Sequence, residues 1–334
     1  MTLMASMSEV RRHLVMEEMI DQMEAGFIAF ANGEVEMPQR IRLSILGGDG
    51  YGAFMPCYMP NHGLGIKINT NFRRNPSGCG LPRILGLLIL LDTCSGMPLA
   101  IMDSTVITAF RTAAVSGVAM RHLARQEAET LGVLGTGTLC LPHIEAACAV
   151  RRIRLIRVYS PHVSRHCQEF SRQAEKIAEA KVVIAESAEE VVAGSDILVT
   201  CTSSEEPVLD GRWIPQNSCV IAVGNARPNS RELDTFTVVR SSIVCDSWKA
   251  CTLESGDLLI PLKEGSIKDD QVKVDLGCIL QRQENNEQFS GVVLFKSVGL
   301  AFEDLIAARY VYTKMMDSRH VTSFNFFDQL PGQA

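Results

Sequence analysis

The sequence predicts an α/β protein in which a Rossmann-type, doubly wound parallel sheet is joined to a second domain. Three observations lead there. From Arg125 onward, short apolar runs alternate with helical segments, the rhythm of parallel strands linked by helices. A glycine turn, Gly135-Thr136-Gly137, connects the first of these runs to a helix. The length of 334 residues exceeds one average domain, and the stretch before Arg125 has another texture, with short runs punctuated by Gly, Pro, Asn and Asp.

In chain order, Ser8 to Ala31 carries Leu14, Val15, Met19, Met23 and Phe27 at helical spacing and reads as one helix. Between Ile41 and Met102, the runs GAFMPCYM, LGIKINT, ILGLLILL and PLAIM read as strands. Of these, Ile84 to Leu91 is apolar throughout and is expected to be fully buried. Asp103 to Leu123 reads as a long helix with Asp103 or Ser104 as its N-cap. The alternating part then follows: a strand at Leu131 to Leu134, a helix to about Val150 and a strand at Leu155 to Tyr159. Next come a helix at Ser164 to Ala178, a strand at Val182 to Ala185 and a short helix at Ala188 to Ala193. Strands at Ile197 to Cys201, Cys219 to Val223 and Ile243 to Asp246 complete it. A last helix, about Leu300 to Met316, lies beyond that pattern and is placed to return to the first domain.

Composition narrows the function. Lys and Arg total 32 against 38 Asp and Glu, a net charge of −6, so no global positive field exists to hold nucleic acid. Arg151, Arg152, Arg154 and Arg157 cluster at a strand start without interleaved aromatics and read as a solvated face. The 11 cysteines are odd in number and contain no CxxC, which argues against a disulfide frame and a zinc site and for thiols kept in a reducing cytosol. No metal site is expected. Acidic residues interrupt the first apolar pattern and the longest apolar run is short, so neither an export signal nor a membrane span is read, and a cytoplasmic location is expected.

Gly135 permits a tight turn, and Gly137 lets backbone approach a pyrophosphate whose charge is favoured by the helix N-terminus. Gly135, Thr136, Gly137, Thr138 and Leu139 are therefore candidate cofactor-binding residues. The third fingerprint position, usually Gly or Ala, is Cys140. Pro142 lies about five residues into the expected helix, where it is predicted to lose a bond. The strand ending at Tyr159 lacks the acidic residue that accepts from an NAD ribose; Ser160, His162 and Arg165 are there instead and can donate to a 2′-phosphate. NADPH is thus expected, with NADH as the alternative.

A set of motifs in fixed order then resembles the ornithine cyclodeaminase and mu-crystallin family over nearly the whole chain. The motifs are Met37-Pro38-x-Arg40, Met55-Pro56, Gly65-Ile66-Lys67, Thr108-x-x-Arg111-Thr112 and the glycine loop. They continue with Thr202-x5-Val208, Val223-Gly224, Arg231-Glu232-Leu233-Asp234, Asp246-Ser247, Glu254-Ser255-Gly256-Asp257 and Phe295-Lys296-Ser297-x-Gly299-x-Ala301-x-Glu303-Asp304. The resemblance implies a homodimeric NAD(P)-dependent oxidoreductase acting on amino and imino acids. It implies a split domain of residues 1–122 and 306–334 for substrate and dimer contacts, and a Rossmann domain of residues 123–305. It places Arg40, Lys67, Arg111 and Met55 at the substrate, with Lys67 and Arg111 catalytic. Thr112, Thr202, Val223, Gly224, Ser297 and Gly299 join the cofactor set.

The chemistry agrees. A guanidinium is a natural bidentate anchor for a carboxylate, and an enclosed lysine has a lowered pKa suited to proton transfer. Without the family, each of these cations reads as a solvated or core-edge residue. One departure separates subtypes. Relatives that cyclodeaminate or oxidise alanine carry an aspartate shortly after the Val-Gly pair, whereas this chain has Ala226 at that position. Alanine relays no proton, which favours the mu-crystallin branch: an NADPH-dependent imine (ketimine) reductase making an amino acid from a cyclic or linear α-imino acid. Two alternatives stand beside it: an NAD-dependent ornithine cyclodeaminase or amino-acid dehydrogenase, and a non-catalytic protein holding NADPH and a small ligand.

Overall fold

The computed structural model describes residues 1–45, 50–161, 167–268, 274–283, 288–318 and 322–327. The elements are β1 (Thr2–Ala5), α1 (Met7–His13), α2 (Met16–Ala31), β2 (Ile41–Ser44), β3 (Gly50–Met59), β4 (Gly63–Phe72), α3 (Asn75–Gly78), β5 (Ile84–Leu91), β6 (Pro98–Asp103) and α4 (Ser104–Leu123). There follow β7 (Thr130–Leu134), α5 (Cys140–Val150), β8 (Leu155–Tyr159), α6 (Cys167–Ala178), β9 (Lys181–Ile184), α7 (Ala188–Ala193), β10 (Ile197–Thr200), β11 (Cys219–Ala222), α8 (Thr235–Val239) and β12 (Ser241–Cys245). The last are α9 (Trp248–Glu254), α10 (Gly256–Lys263), α11 (Leu276–Arg282), β13 (Val292–Lys296), α12 (Ala301–Met316) and β14 (Ser323–Phe324).

Two compact units result. The first comprises Met1–Val15, Asn32–Arg111 and Ala301–Ala334; the second comprises Met16–Ala31 and Thr112–Leu300. Against the expected 1–122, 306–334 and 123–305, residues 112–122 fall in the second unit and 301–305 in the first, and Met16–Ala31 belongs to the second unit. There α2 packs on α11, where Gly277 lies so close to Phe27 that a Cβ would sit 2.6 Å from the Phe27 carbonyl oxygen. The helix expected over Ser8 to Ala31 is accordingly two helices. The chain turns extended at Leu14 (φ −88°, ψ 123°), and Arg11 Nη1 donates to the Leu14 carbonyl there.

The first unit contains a sheet in the order β14-β1-β6-β5-β4-β3-β2, with β1 parallel to β6 and the other pairs antiparallel. β1 has no signal beyond four residues and was not expected. Asp103 accepts from the Val106 N–H at 2.9 Å and so caps α4. The last helix does return to this unit, where α12 crosses β3, β4 and β5. It rests on the sheet face that carries Ala53, Met55, Cys57, Lys67, Leu88, Leu90 and Met102, all buried. Strand residues alternate between faces, so the opposite face carries Leu85 and Leu87, 37% and 53% exposed. Ile84 to Leu91 is a strand, but not the fully buried one its apolar run suggests.

The second unit contains a parallel sheet in the order β12-β13-β11-β10-β7-β8-β9, a doubly wound arrangement whose strand order reverses between β7 and β10. β13 lies between β11 and β12 and is the strand that the pattern did not reveal. α5 begins at Cys140, so Pro142 falls in its first turn, where an N–H has no intrahelical partner to lose. The expected cost of that proline is absent. Arg151 is no solvated residue: it is 7% exposed, and its guanidinium donates to the carbonyls of Arg121, Ala124, Arg125 and Val150 at the C-terminal ends of α4 and α5. No cluster of His, Cys, Asp or Glu suited to a metal occurs among the described residues, and no helix there is long and apolar enough to cross a membrane.

Candidate functional site

In the first unit, pairing sets Met55, Lys67, Leu88 and Met102 opposite one another across β3, β4, β5 and β6. Lys67 is the charged member of this buried row, at 4% exposure. A buried ammonium needs a partner, and α12 supplies it: Asp304 Oδ2 lies 2.6 Å from Lys67 Nζ. Lys67 also donates to Thr108 Oγ1 on α4 at 3.4 Å. One turn further along α4, Arg111 donates through Nε to Asp304 Oδ1 at 2.8 Å and through Nη1 to Glu303 Oε2 at 2.5 Å. Glu303 and Asp304 occupy the first turn of α12, where the helix dipole favours negative charge.

The pKa directions follow from this arrangement. Burial pulls the Lys67 ammonium down to about 8; Asp304 opposes the fall, while Arg111 and Arg40 reinforce it. Burial acts against the Arg111 charge too, but Asp304 and Glu303 outweigh it and hold that guanidinium firmly protonated. Burial alone would raise the Asp304 carboxyl, yet Arg111 and Lys67 keep it below its ordinary value. Arg40, half-buried before β2, is therefore close enough for its charge to be felt at Lys67.

Lys67, Arg111 and Met55 thus meet in one place, and Arg40 lies within reach of Lys67 for its charge to act there. Glu303 and Asp304 were missed as site residues, although they stand in the last of the family-like motifs. Two donors of Arg111 are already taken by these carboxylates, so any hold on a substrate uses the others among its five N–H groups.

In the second unit, the glycine loop lies at the C-terminal end of β7, beside the reversal in strand order. Gly135 has φ +110°, and a Cβ there would sit 2.9 Å from the Cys201 carbonyl oxygen. A Cβ on Gly137 would meet no protein atom within 4 Å, which leaves room for a ligand at the N-terminus of α5. Thr136 is half-buried and Thr138 exposed. Cys140 is fully buried beneath the loop, so its size is accommodated. His143 has no ligand spacing in the sequence and reads there as an ordinary histidine, yet it holds the loop: burial takes its imidazole down to about 4, so it is neutral. Its Nδ1–H donates to the Leu139 carbonyl at 2.7 Å and Nε2 lies 3.0 Å from Ser116 Oγ. Thr112 is buried on α4, one turn before Ser116. Ser160 is half-buried after β8; His162 and Arg165 lie outside the described residues.

The remaining candidates sit at the C-terminal ends of β10, β11 and β13 and are tied there by buried acids. Glu232 Oε1 accepts from the Thr202 N–H and Oε2 from the Gly224 N–H, both at 2.7 Å. Asp257 Oδ1 accepts from the N–H groups of Glu232 and Leu233 at 2.7 and 2.9 Å, and its Oδ2 lies 2.8 Å from Lys296 Nζ. Burial raises the Glu232 carboxyl; Lys296 opposes this and Asp257 adds to it. Asp246 Oδ2 accepts from Ser297 Oγ, Val298 N–H and Gly299 N–H at 2.7–2.8 Å. The Thr202, Gly224 and Gly299 amides and the Ser297 hydroxyl are therefore engaged within the protein. Val223 is half-buried just after β11, where its N–H donates to the Thr200 carbonyl.

Known proteins place this architecture. A Δ1-pyrroline-2-carboxylate reductase of Bacillus thuringiensis is 32% identical over 322 residues, covering 95% of this chain and 97% of the relative. The ketimine reductase mu-crystallin of Mus musculus is 30% identical over 312 residues, covering 92% and 95%. Among solved structures, Thermococcus litoralis Δ1-pyrroline-2-carboxylate reductase in complex with NADH and L-proline superposes with a TM-score of 0.92 at 34% identity, covering 97% of this chain and all of that one. The ornithine cyclodeaminase/mu-crystallin family model matches residues 1–319, and the chain belongs to that family.

Proposed function

We propose that this protein is an NAD(P)H-dependent imine reductase that converts an α-imino acid, cyclic or linear, into the corresponding amino acid. The observation that carries the reading is the buried Lys67–Asp304–Arg111–Glu303 cluster. Its two cations are balanced by two carboxylates, and Arg40 is the third cation nearby.

The dinucleotide supplies the hydride when bound. Lys67, poised near neutrality, gives a proton to the imine nitrogen. Arg40 and the remaining donors of Arg111 hold the carboxylate, which fixes the plane of the C=N bond, and Met55 forms an apolar wall beside Lys67. Orientation of this kind is worth up to about 7–11 kcal/mol of barrier. The residues present fit a dinucleotide: Gly137 leaves an open cradle at a helix N-terminus, and Gly135 makes the turn that only glycine tolerates. Thr136, Thr138, Leu139 and Thr112 complete the phosphate-side set. Ser160, with His162 and Arg165, replaces the carboxylate that an NAD ribose would require, which supports NADPH as the preferred cofactor. Ala226 after Val223-Gly224 supports reduction over cyclodeamination.

The apolar face of the first sheet supports a homodimer. Ile41, Phe54, Ile68 and Leu87 stand in one row across β2 to β5, and Ile41, Leu43 and Leu87 are 52%, 55% and 53% exposed. So wide an apolar sheet face is a partner surface rather than a solvated one. Ten cysteines, from Cys57 to Cys278, are free thiols, which suits the reducing cytoplasm.

The test is a panel of Δ1-pyrroline-2-carboxylate, its six-membered homologue and keto-acid/amine pairs, assayed with NADPH and NADH. Faster oxidation of NADPH with at least one imine is expected. Silence across the panel, or NADH formation from ornithine or alanine alone, refutes the assignment.

A further inference from the structure

The carboxylate of Glu232 spans two adjacent strand ends. β10 and β11 run parallel in register from Ile197–Cys219 to Thr200–Ala222. Beyond that point both chains leave the sheet, and the N–H groups of Thr202 and Gly224 lose the ladder partners that further strand would supply. Glu232 takes one with each oxygen, at 2.7 Å. The fit leaves no room for a side chain at residue 224, where a Cβ would lie 2.3 Å from the Thr202 carbonyl oxygen and 2.5 Å from Glu232 Oε1. Glu232 is itself fixed by Asp257 at its backbone N–H, and Lys296 joins Asp257 to the Asn225 carbonyl, to which Nζ donates at 2.8 Å. Glu232, Asp257 and Lys296 are all 0% exposed.

What this network holds in place is Asn225. Its Nδ2 donates to the Ser204 carbonyl at 2.7 Å, which fixes the amide orientation. Its Oδ1 is buried and accepts nothing among the described residues, and the residue is 2% exposed. A buried carbonyl without a donor is costly unless a ligand supplies one. In a doubly wound sheet the dinucleotide lies across the strand ends at the reversal of order. With the glycine loop and β8 on one side, the β10 and β11 ends receive the other half of the molecule, whose carboxamide carries an N–H₂ donor.

We propose that Asn225 Oδ1 accepts the carboxamide N–H of the bound dinucleotide's nicotinamide, and that Glu232 is the positioning residue that holds Asn225 there. The inference rests on the dinucleotide reading above, and its test separates the two. Equilibrium binding of NADPH and of 2′-phospho-ADP-ribose, which lacks the nicotinamide, is measured for the wild type, Asn225→Ala and Glu232→Gln, with thermal melting as the control for folding. The wild type binds both probes. Each variant weakens NADPH roughly tenfold, the value of one hydrogen bond with a buried partner, and leaves 2′-phospho-ADP-ribose within about twofold. Unchanged NADPH affinity in Asn225→Ala refutes the proposal, as does equal weakening of both probes. If Glu232→Gln does not fold, Asn225→Ala decides the contact alone. A wild type that binds neither probe, nor NADH and ADP-ribose in their place, overturns the dinucleotide reading itself.

Discussion

Replacing Asp304 with asparagine removes the counter-charge of Lys67 while keeping the side-chain shape. At the 2.6 Å separation, with an effective dielectric near 20, the attraction lost is about 332/(20 × 2.6), or roughly 6 kcal/mol. At about 1.36 kcal/mol per pH unit this is a ceiling of roughly 4–5 units. The asparagine dipole and admitted water reduce it, and a downward shift of about 1–2 units is expected. Burial, Arg111 and Arg40 all push Lys67 in that same direction, and only Asp304 opposes them. The protonated lysine is the active form, so wild-type kcat/KM for imine reduction falls as pH rises through about 8. In Asp304→Asn the same fall begins at lower pH, and activity near neutrality is correspondingly reduced. Titration of the substrate is common to both proteins and cancels in the comparison. The assay is kcat/KM against pH, with a melting curve beside it, because breaking one partner of a buried pair also costs about 3–5 kcal/mol of stability. A descending limb at the same pH in both proteins refutes the idea that Asp304 poises Lys67.

Other outcomes follow from the same geometry. Arg40→Met raises KM for the imino acid roughly tenfold to a hundredfold with a smaller change in kcat; an unchanged KM removes Arg40 from the carboxylate site. Gly137→Ala leaves the melting temperature unaltered, since its Cβ meets no protein atom, yet weakens dinucleotide binding in a titration. Gly135→Ala instead lowers stability by about 1–3 kcal/mol through φ strain and the Cys201 carbonyl, as read in chemical denaturation. Leu87→Arg on the exposed sheet face shifts sedimentation from dimer to monomer, and a dimer that persists would move the interface elsewhere.

Much of the second unit was legible because its signals are local. Gly135 needs a conformation that few other residues adopt, and the strand–turn–helix context surrounds it. β13 was not legible. Val292–Lys296 is a short apolar run, which strand and buried helix share, and only its place between β11 and β12 identifies it. Ile84–Leu91 misled for a related reason: its apolar residues occupy both faces of the strand, and sequence does not say that one face lacks a covering layer. The cationic half of the site could be read from residue type. Its acidic half could not, since Glu303 and Asp304 look like ordinary acids at a helix start and meet Arg111 across 192 and 193 residues of chain. Glu232, Asp257 and Lys296 were hidden likewise, because charged residues are read as exposed until their partners are seen.

Lys67 stands at the centre of imine reduction by a bound reduced dinucleotide in the proposed mechanism. The most direct measurement is kcat/KM for NADPH-dependent reduction of Δ1-pyrroline-2-carboxylate by the wild type and by Lys67→Ala, with NADPH affinity determined for both. The expected result is turnover by the wild type, a loss of about 10²-fold or more in the variant, and unchanged NADPH binding. A variant within about twofold of the wild type would contradict it.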